Sequence, residues 1–173
     1  MSQNIYTASV ESFTAALGSL AAILAQAATR EDAASLPAVR LAPDMFPLST
    51  QVQLTCFHAN NGTLRLMGRE VVGRPAIQEA DLAGLQAIIA TTVEKLGALT
   101  AADFAGAEER RIVMPLQPPM VFEADGVTFL HRFLLPNFYF HLVTAYDILR
   151  HAGLPLGKKD FLSHLGSFMH EAA

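Results

Sequence analysis

Val10, Phe13, Leu17, Leu20 and Leu24 recur at steps of three and four, the spacing that lays one apolar stripe along a helix. Such a stripe has to be buried against another element, and the same period returns in Leu82, Leu85, Ile88, Ile89, Val93 and Leu96. The first stripe predicts a helix from about Ala8 to Thr29, with Thr7 and Ser9 offering capping hydroxyls; the second predicts a helix after Asp81. Between them, Asp44-Met45-Phe46-Pro47 reads as a helix start, with proline where its missing donor costs nothing. That second helix extends to about Met67 and stops at Gly68, although Thr55, His58, Asn60, Asn61 and Gly62 interrupt its apolar run. Pro136 opens a fourth helix through Arg150, closed by Gly153, with Arg150 and His151 in the last turn where cations favour the helix dipole. Four such helices form an all-α, up-and-down four-helix bundle, whose sites are built from inward side chains on facing helices.

The connections are of moderate length. Residues Arg30 to Phe46, with Pro37 and Pro43, form a loop; Val72 to Ile77, with Gly73 and Pro75, form a link; Thr100 to Arg110 is polar with small residues. From Arg111 to Leu130 the period changes to alternation in Ile112, Met114 and Leu116, followed by Val121, Glu123 and an Asp125-Gly126 turn. This predicts a small β-hairpin inserted before the last long helix, or an irregular excursion, since Pro115, Pro118 and Pro119 suit only an edge or a loop. A short helix from about Lys159 to His170 ends the chain.

Bulk properties narrow the partners. At 173 residues the chain suits one domain spanning 1–173. Hydrophobic residues make up 51% and charged residues 16%, an apolar surplus that argues for a buried oligomer interface. The formal charge is −4, and the longest basic runs are the pairs Arg110-Arg111 and Lys158-Lys159, so no nucleic acid partner is expected. A single cysteine, Cys56, excludes an intrachain disulfide and a cysteine-rich zinc site, and a reducing cytoplasm fits best. The stretch Phe13 to Ala28 lacks a preceding Lys or Arg and carries Thr14, Gly18, Ser19 and Gln26; it reads as a core helix, and no membrane span is expected.

Two stretches carry a resemblance. They are Leu41-Ala42-Pro43-Asp44-Met45-Phe46-Pro47-Leu48, and Leu135-Pro136-Asn137-Phe138-Tyr139-Phe140-His141 running on through Ala145-Tyr146, Leu149-Arg150-His151 and Gly153 to Lys158, Asp160 and Phe161. In order and spacing the chain resembles an uncharacterised bacterial family grouped with the DinB/YfiT-like metalloenzymes. The resemblance implies a four-helix bundle, frequently a homodimer, in a superfamily where many members hold a divalent metal such as zinc or nickel with three histidines, and where some relatives are metal-dependent thiol transferases or isomerases. That triad takes one histidine from helix two and a pair four residues apart from a later helix. Here His141 matches the second of the pair, the first is Asn137, and the candidate on helix two is His58. An amide is a weak ligand for zinc or nickel, so the metal triad His58, Asn137, His141 is degenerate and the balance favours no metal.

Read as residues, Asn137 and His141 stand one turn apart on one helical face with Thr144 next along it. Facing inward, they make a polar spot that is either a water-completed metal site or a hydrogen-bonded core pair. His131, Tyr146 and Arg150 are pocket candidates; Arg150 with Asp160 or Asp44 reads equally as an ion pair fixing a loop. Cys56 is two residues from His58 and so points away from it on a helix, which leaves a buried, inert thiol. There is no Gly-rich phosphate loop, GxSxG or HExxH. Three readings stay open: a small-molecule-binding module or vestigial enzyme with a degenerate metal pocket, a metal-dependent enzyme acting on a thiol or small electrophile, and a structural or partner-binding homodimer without ligand. The residues do not decide whether the chain is an enzyme.

Overall fold

A computed structural model describes residues 2–71, 73 and 76–170; Val72, Arg74 and Pro75 of the expected link lie outside the described residues. The first rod begins earlier than its periodicity predicts. It comprises α1 (Ser2–Tyr6), a π-helical turn (Thr7–Glu11) and α2 (Ser12–Ala27). Thr7 and Ser9 therefore do not cap a helix: Ser9 is buried inside the rod and its hydroxyl donates to the Ile5 carbonyl at 2.6 Å. Ile5 adds one more step to the apolar stripe, which carries the helix back past the hydroxyls. Residues 4–27 are long and apolar enough to cross a membrane by length and composition, but Phe13, Leu17, Leu20 and Leu24 are buried in the bundle core.

The second and third rods follow the sequence closely. α3 (Leu48–Leu66) starts after extended Pro47 and ends near Gly68, whose φ of 69° is left-handed backbone open to glycine. α4 (Leu82–Gly97) is capped by Asp81, which accepts from the Gly84 amide at 2.8 Å. A 3₁₀ segment (Ala33–Ala38) crosses the loop before α3, and another (Ala101–Phe104) follows α4.

The insertion is a hairpin. β1 (Ile112–Pro115) pairs antiparallel with β2 (Val121–Ala124), Ile112 opposite Ala124 and Pro115 opposite Val121. Its turn lies between Leu116 and Met120, not at Asp125-Gly126. Asp125 instead caps the last rod, accepting from the Thr128 amide at 2.7 Å, and this hydrogen bond holds its carboxyl below the usual range. That rod comprises α5 (Gly126–Phe129), a π-helical turn (Leu130–Leu134) and α6 (Leu135–His151). Pro136 thus lies within a helical rod and does not open it. A proline ring crowds the carbonyl four residues back, here Arg132, and the widened turn lies where that carbonyl is. The apolar stripe Leu130, Leu134, Phe138, Leu142, Ala145, Leu149 runs straight through the proline and is buried along its whole length. The expected terminal helix is a single turn, α7 (Lys158–Phe161), followed by a 3₁₀ segment (Ser163–Phe168) tied back to α2 by Ser19 Oγ and Ser163 Oγ at 2.9 Å.

The rods pack as α2 on α4, α4 on α3, α3 on α6 and α6 on α2, so consecutive rods one and two stand across a diagonal, as do three and four. This accounts for the long connections 28–47 and 98–125, which cross the bundle end, while the α3–α4 link joins neighbours. Two glycines permit the closest approaches. A Cβ on Gly62 of α3 would overlap the Leu134 side chain, and one on Gly126 would overlap the backbone carbonyl oxygen of Ala107. A side chain can repack but a backbone carbonyl held by its own segment cannot. Gly126→Ala should therefore cost about 3 kcal/mol in urea-induced unfolding and Gly62→Ala about 1–2 kcal/mol; equal costs would mean that the Ala107 segment gives way.

Candidate functional site

Helix α3 carries two different polar faces, and the sequence interruptions sort between them. Gln51 and His58 are seven residues, two turns, apart and look toward α6; Cys56 and Asn60 look toward α4. Thr55 and Thr63 satisfy their hydroxyls inside the helix, on the Gln51 carbonyl at 2.9 Å and the Ala59 carbonyl at 3.0 Å.

On the α6 side, His58 and His141 come together. Their rings lie nearly parallel at 11°, with centroids 5.3 Å apart, and both residues are half-buried. Phe133 meets the His58 ring edge-on at 6.4 Å, and Phe140 meets His141 at 5.3 Å. The orienting group is Gln51, only 1% exposed. Its Nε2 donates to the Phe46 carbonyl at 3.2 Å, so Oε1 is the atom 2.8 Å from His141 Nδ1. An amide oxygen only accepts, which places a proton on Nδ1 and makes Nε2 an acceptor in the neutral ring. The Phe46 carbonyl lies in the loop before α3, so this chain of bonds links that loop, α3 and α6.

Asn137 lies one turn before His141 and is half-buried, but its Nδ2 donates to the carbonyl of Phe133 at 2.7 Å, within its own rod. Thr144 likewise turns to the Phe140 carbonyl at 2.7 Å. Two imidazoles sharing one tetrahedral ion have ring centres roughly 5 Å apart, and the His58–His141 spacing meets that condition. The third donor does not. Among the described residues no group of three His, Cys, Asp or Glu side chains is placed to hold a metal ion, and the amide at Asn137 is a poor substitute for imidazole on zinc or nickel. The donor set does not fit a three-ligand centre of the kind the superfamily uses.

The remaining candidates lie elsewhere. His131 is exposed on the π-helical turn. Tyr146 is half-buried, edge-on to Phe161 at 5.6 Å. The exposed Arg150 donates to the Leu156 carbonyl and pins the loop after α6; the described ion pairs include neither Arg150 with Asp160 nor Arg150 with Asp44. Cys56 is buried and its thiol is pushed up to about 11 by that burial, so it stays protonated and inert. A cavity of about 870 Å³ opens between α3 and α4, and its walls include Cys56 and Asn60 but none of His58, Asn137 or His141.

The family described as a domain of unknown function, DUF1993, matches residues 5–162. The chain belongs to the DUF1993 family. A solved structure of a DinB family member from Shewanella denitrificans superposes on it with a TM-score of 0.86 and 35% sequence identity, over 99% of this chain and 97% of that one. The DinB-like all-α bundle that the sequence resembles is therefore the fold of this DUF1993 protein. No protein of curated function matches it.

Gln51 is the residue that sequence reading missed at this site. Its signal was present, a buried amide two turns ahead of His58 on the same face, but its partner lies 90 positions away. Gln51→Leu would leave the Phe46 carbonyl and His141 Nδ1 without this partner, at a cost of about 1–3 kcal/mol in thermal or urea unfolding. Nitrogen NMR shifts of His141 should report Nδ1–H in the native protein and lose that preference in the variant; an unchanged tautomer would show that Gln51 does not orient the ring.

Proposed function

We propose that this DUF1993 protein is a single-domain, small-molecule-binding module built on a degenerate DinB-like metal site, a vestigial enzyme whose seam between α3 and α6 holds a small polar ligand or water beside His58 and His141. The observation that carries the reading is Asn137. It stands where the resemblance puts the third ligand, its Nδ2 donates to the Phe133 carbonyl at 2.7 Å, and the amide oxygen that remains is a far weaker ligand for zinc or nickel than imidazole. Two imidazoles with an oriented tautomer remain useful for recognition, since a neutral imidazole offers one donor and one acceptor at fixed angles. A metal-dependent enzyme acting on a thiol or small electrophile is the second reading, favoured by the 5.3 Å separation of the imidazole centroids.

Metal analysis separates the two. The expected result is no stoichiometric zinc or nickel in protein purified without chelator, weak titration by either ion, and no change in metal content in His141→Ala. One equivalent bound by the native chain and lost in His141→Ala would put the metal-dependent enzyme ahead. Thermal shift against thiols, carboxylates and phosphates then tests ligand binding, because a ligand selective for the native state raises the melting temperature.

The proposal includes a cytoplasmic homodimer. What supports the dimer is an uncharged apolar strip on the outer side of α6, with Tyr139, Val143 and Phe140 exposed, Phe140 by 59%. A second copy bearing the same uncharged strip can pair with it about a two-fold axis without opposing like charges. Sedimentation should give a dimer that Phe140→Asp converts to monomer; a native monomer at micromolar concentration would leave the strip as ordinary surface.

A further inference from the structure

The cavity of about 870 Å³ between α3 and α4 is separate from the imidazole pair, on the opposite face of α3. The described residues of the α3–α4 connection, 67–71, 73 and 76–81, arch over the groove, and the connection is pinned at two points. At the far end the Gln53 side chain makes two bonds to the backbone of Gln78, donating to its carbonyl at 2.9 Å and accepting from its amide at 3.0 Å. At the near end Arg69 pairs with Asp103 at 2.7 Å. Beneath the arch, Phe57 and Leu64 of α3 and Ile88 and Leu96 of α4 give an apolar wall. Asn60 projects into the same wall with its Nδ2 fixed on Thr92 Oγ1 at 3.2 Å, which turns its carbonyl oxygen away from that bond.

The volume lies within the few hundred to about a thousand Å³ of small-molecule sites, and an apolar wall with few placed polar groups is their usual make-up. Charge narrows the ligand. Among the described residues, three charged side chains line the cavity, Arg69, Asp103 and Lys95. Arg69 and Asp103 neutralise each other, and Lys95 has no ion pair among the described residues. Among the described residues, one ammonium, that of Lys95, is therefore left in excess beside an apolar chamber.

We propose that this cavity is a second ligand site and that it takes an amphipathic organic anion, with an apolar body against Phe57, Leu64, Ile88 and Leu96 and a single carboxylate or sulfonate at Lys95. The inference stands whether or not the α3–α6 seam binds anything. The probe is 1-anilinonaphthalene-8-sulfonate, with N-phenyl-1-naphthylamine as its uncharged counterpart, titrated by fluorescence into native protein whose fold is checked by circular dichroism.

Saturable binding of one sulfonate per chain is expected. Ala87→Trp and Thr91→Trp, at exposed positions of α4 that line the cavity, should each abolish binding of both probes. Lys95→Met should weaken the sulfonate by up to about fivefold, the worth of one partly exposed ion pair, and leave the neutral amine unchanged. Absence of saturable binding, or sulfonate binding untouched by both tryptophans, overturns the site. Equal effects of Lys95→Met on the two probes overturn the anionic ligand.

Discussion

The line along which α3 meets α6 is the constraint from which the rest of the interior follows. Here two helices with polar residues on their facing sides are brought close by Gly62, which has no side chain to keep Leu134 away. Burial at that distance requires every polar group to find a partner, and Gln51 supplies it by bridging the Phe46 carbonyl and His141 Nδ1. One buried amide thus sets the start of α3, the face of α6 and the orientation of an imidazole. An apolar side chain of similar size could fill the space but could do none of these things.

Helix α3 belongs to two sites because a helix turns about 100° per residue. Residues Gln51, His58 and Gly62 fall on the α6 side, while Gln53, Cys56, Asn60 and Leu64 line the α4 side. The run Asn60-Asn61-Gly62 is therefore divided between the two seams, both asparagines lining the cavity while Gly62 meets Leu134. The diagonal arrangement of consecutive rods adds to this. It makes α3 the neighbour of both α4 and α6, so both seams run along one element.

Much of the fold was legible from periodicity. The stripes of α2 and α4 are long and uninterrupted, and burial of one side of each was the physical consequence. Errors came where a local signal was given more weight than the stripe. Thr7 and Ser9 read as caps, yet Ile5 continues the apolar period and Ser9 satisfies its hydroxyl on the Ile5 carbonyl. Pro136 read as a helix start, yet Leu130 and Leu134 carry the stripe through it. Asp125-Gly126 read as a hairpin turn; the aspartate caps α5, and the glycine is needed for close approach to Ala107. In the first two cases burial of the stripe outweighed a short-range preference worth about 1 kcal/mol, and at Asp125 one local signal, the helix cap, displaced another.

By itself the sequence determined the number of rods, their apolar faces and the chemistry available at positions 58, 137 and 141, because these depend on residue type and spacing along one chain. Only the tertiary structure decided that His58 and His141 stack, that Asn137 turns to its own rod, and that the large cavity lies on the other side of α3. Those outcomes rest on contacts between residues far apart in the chain. Helical spacing assigns a face, and packing alone assigns what that face meets.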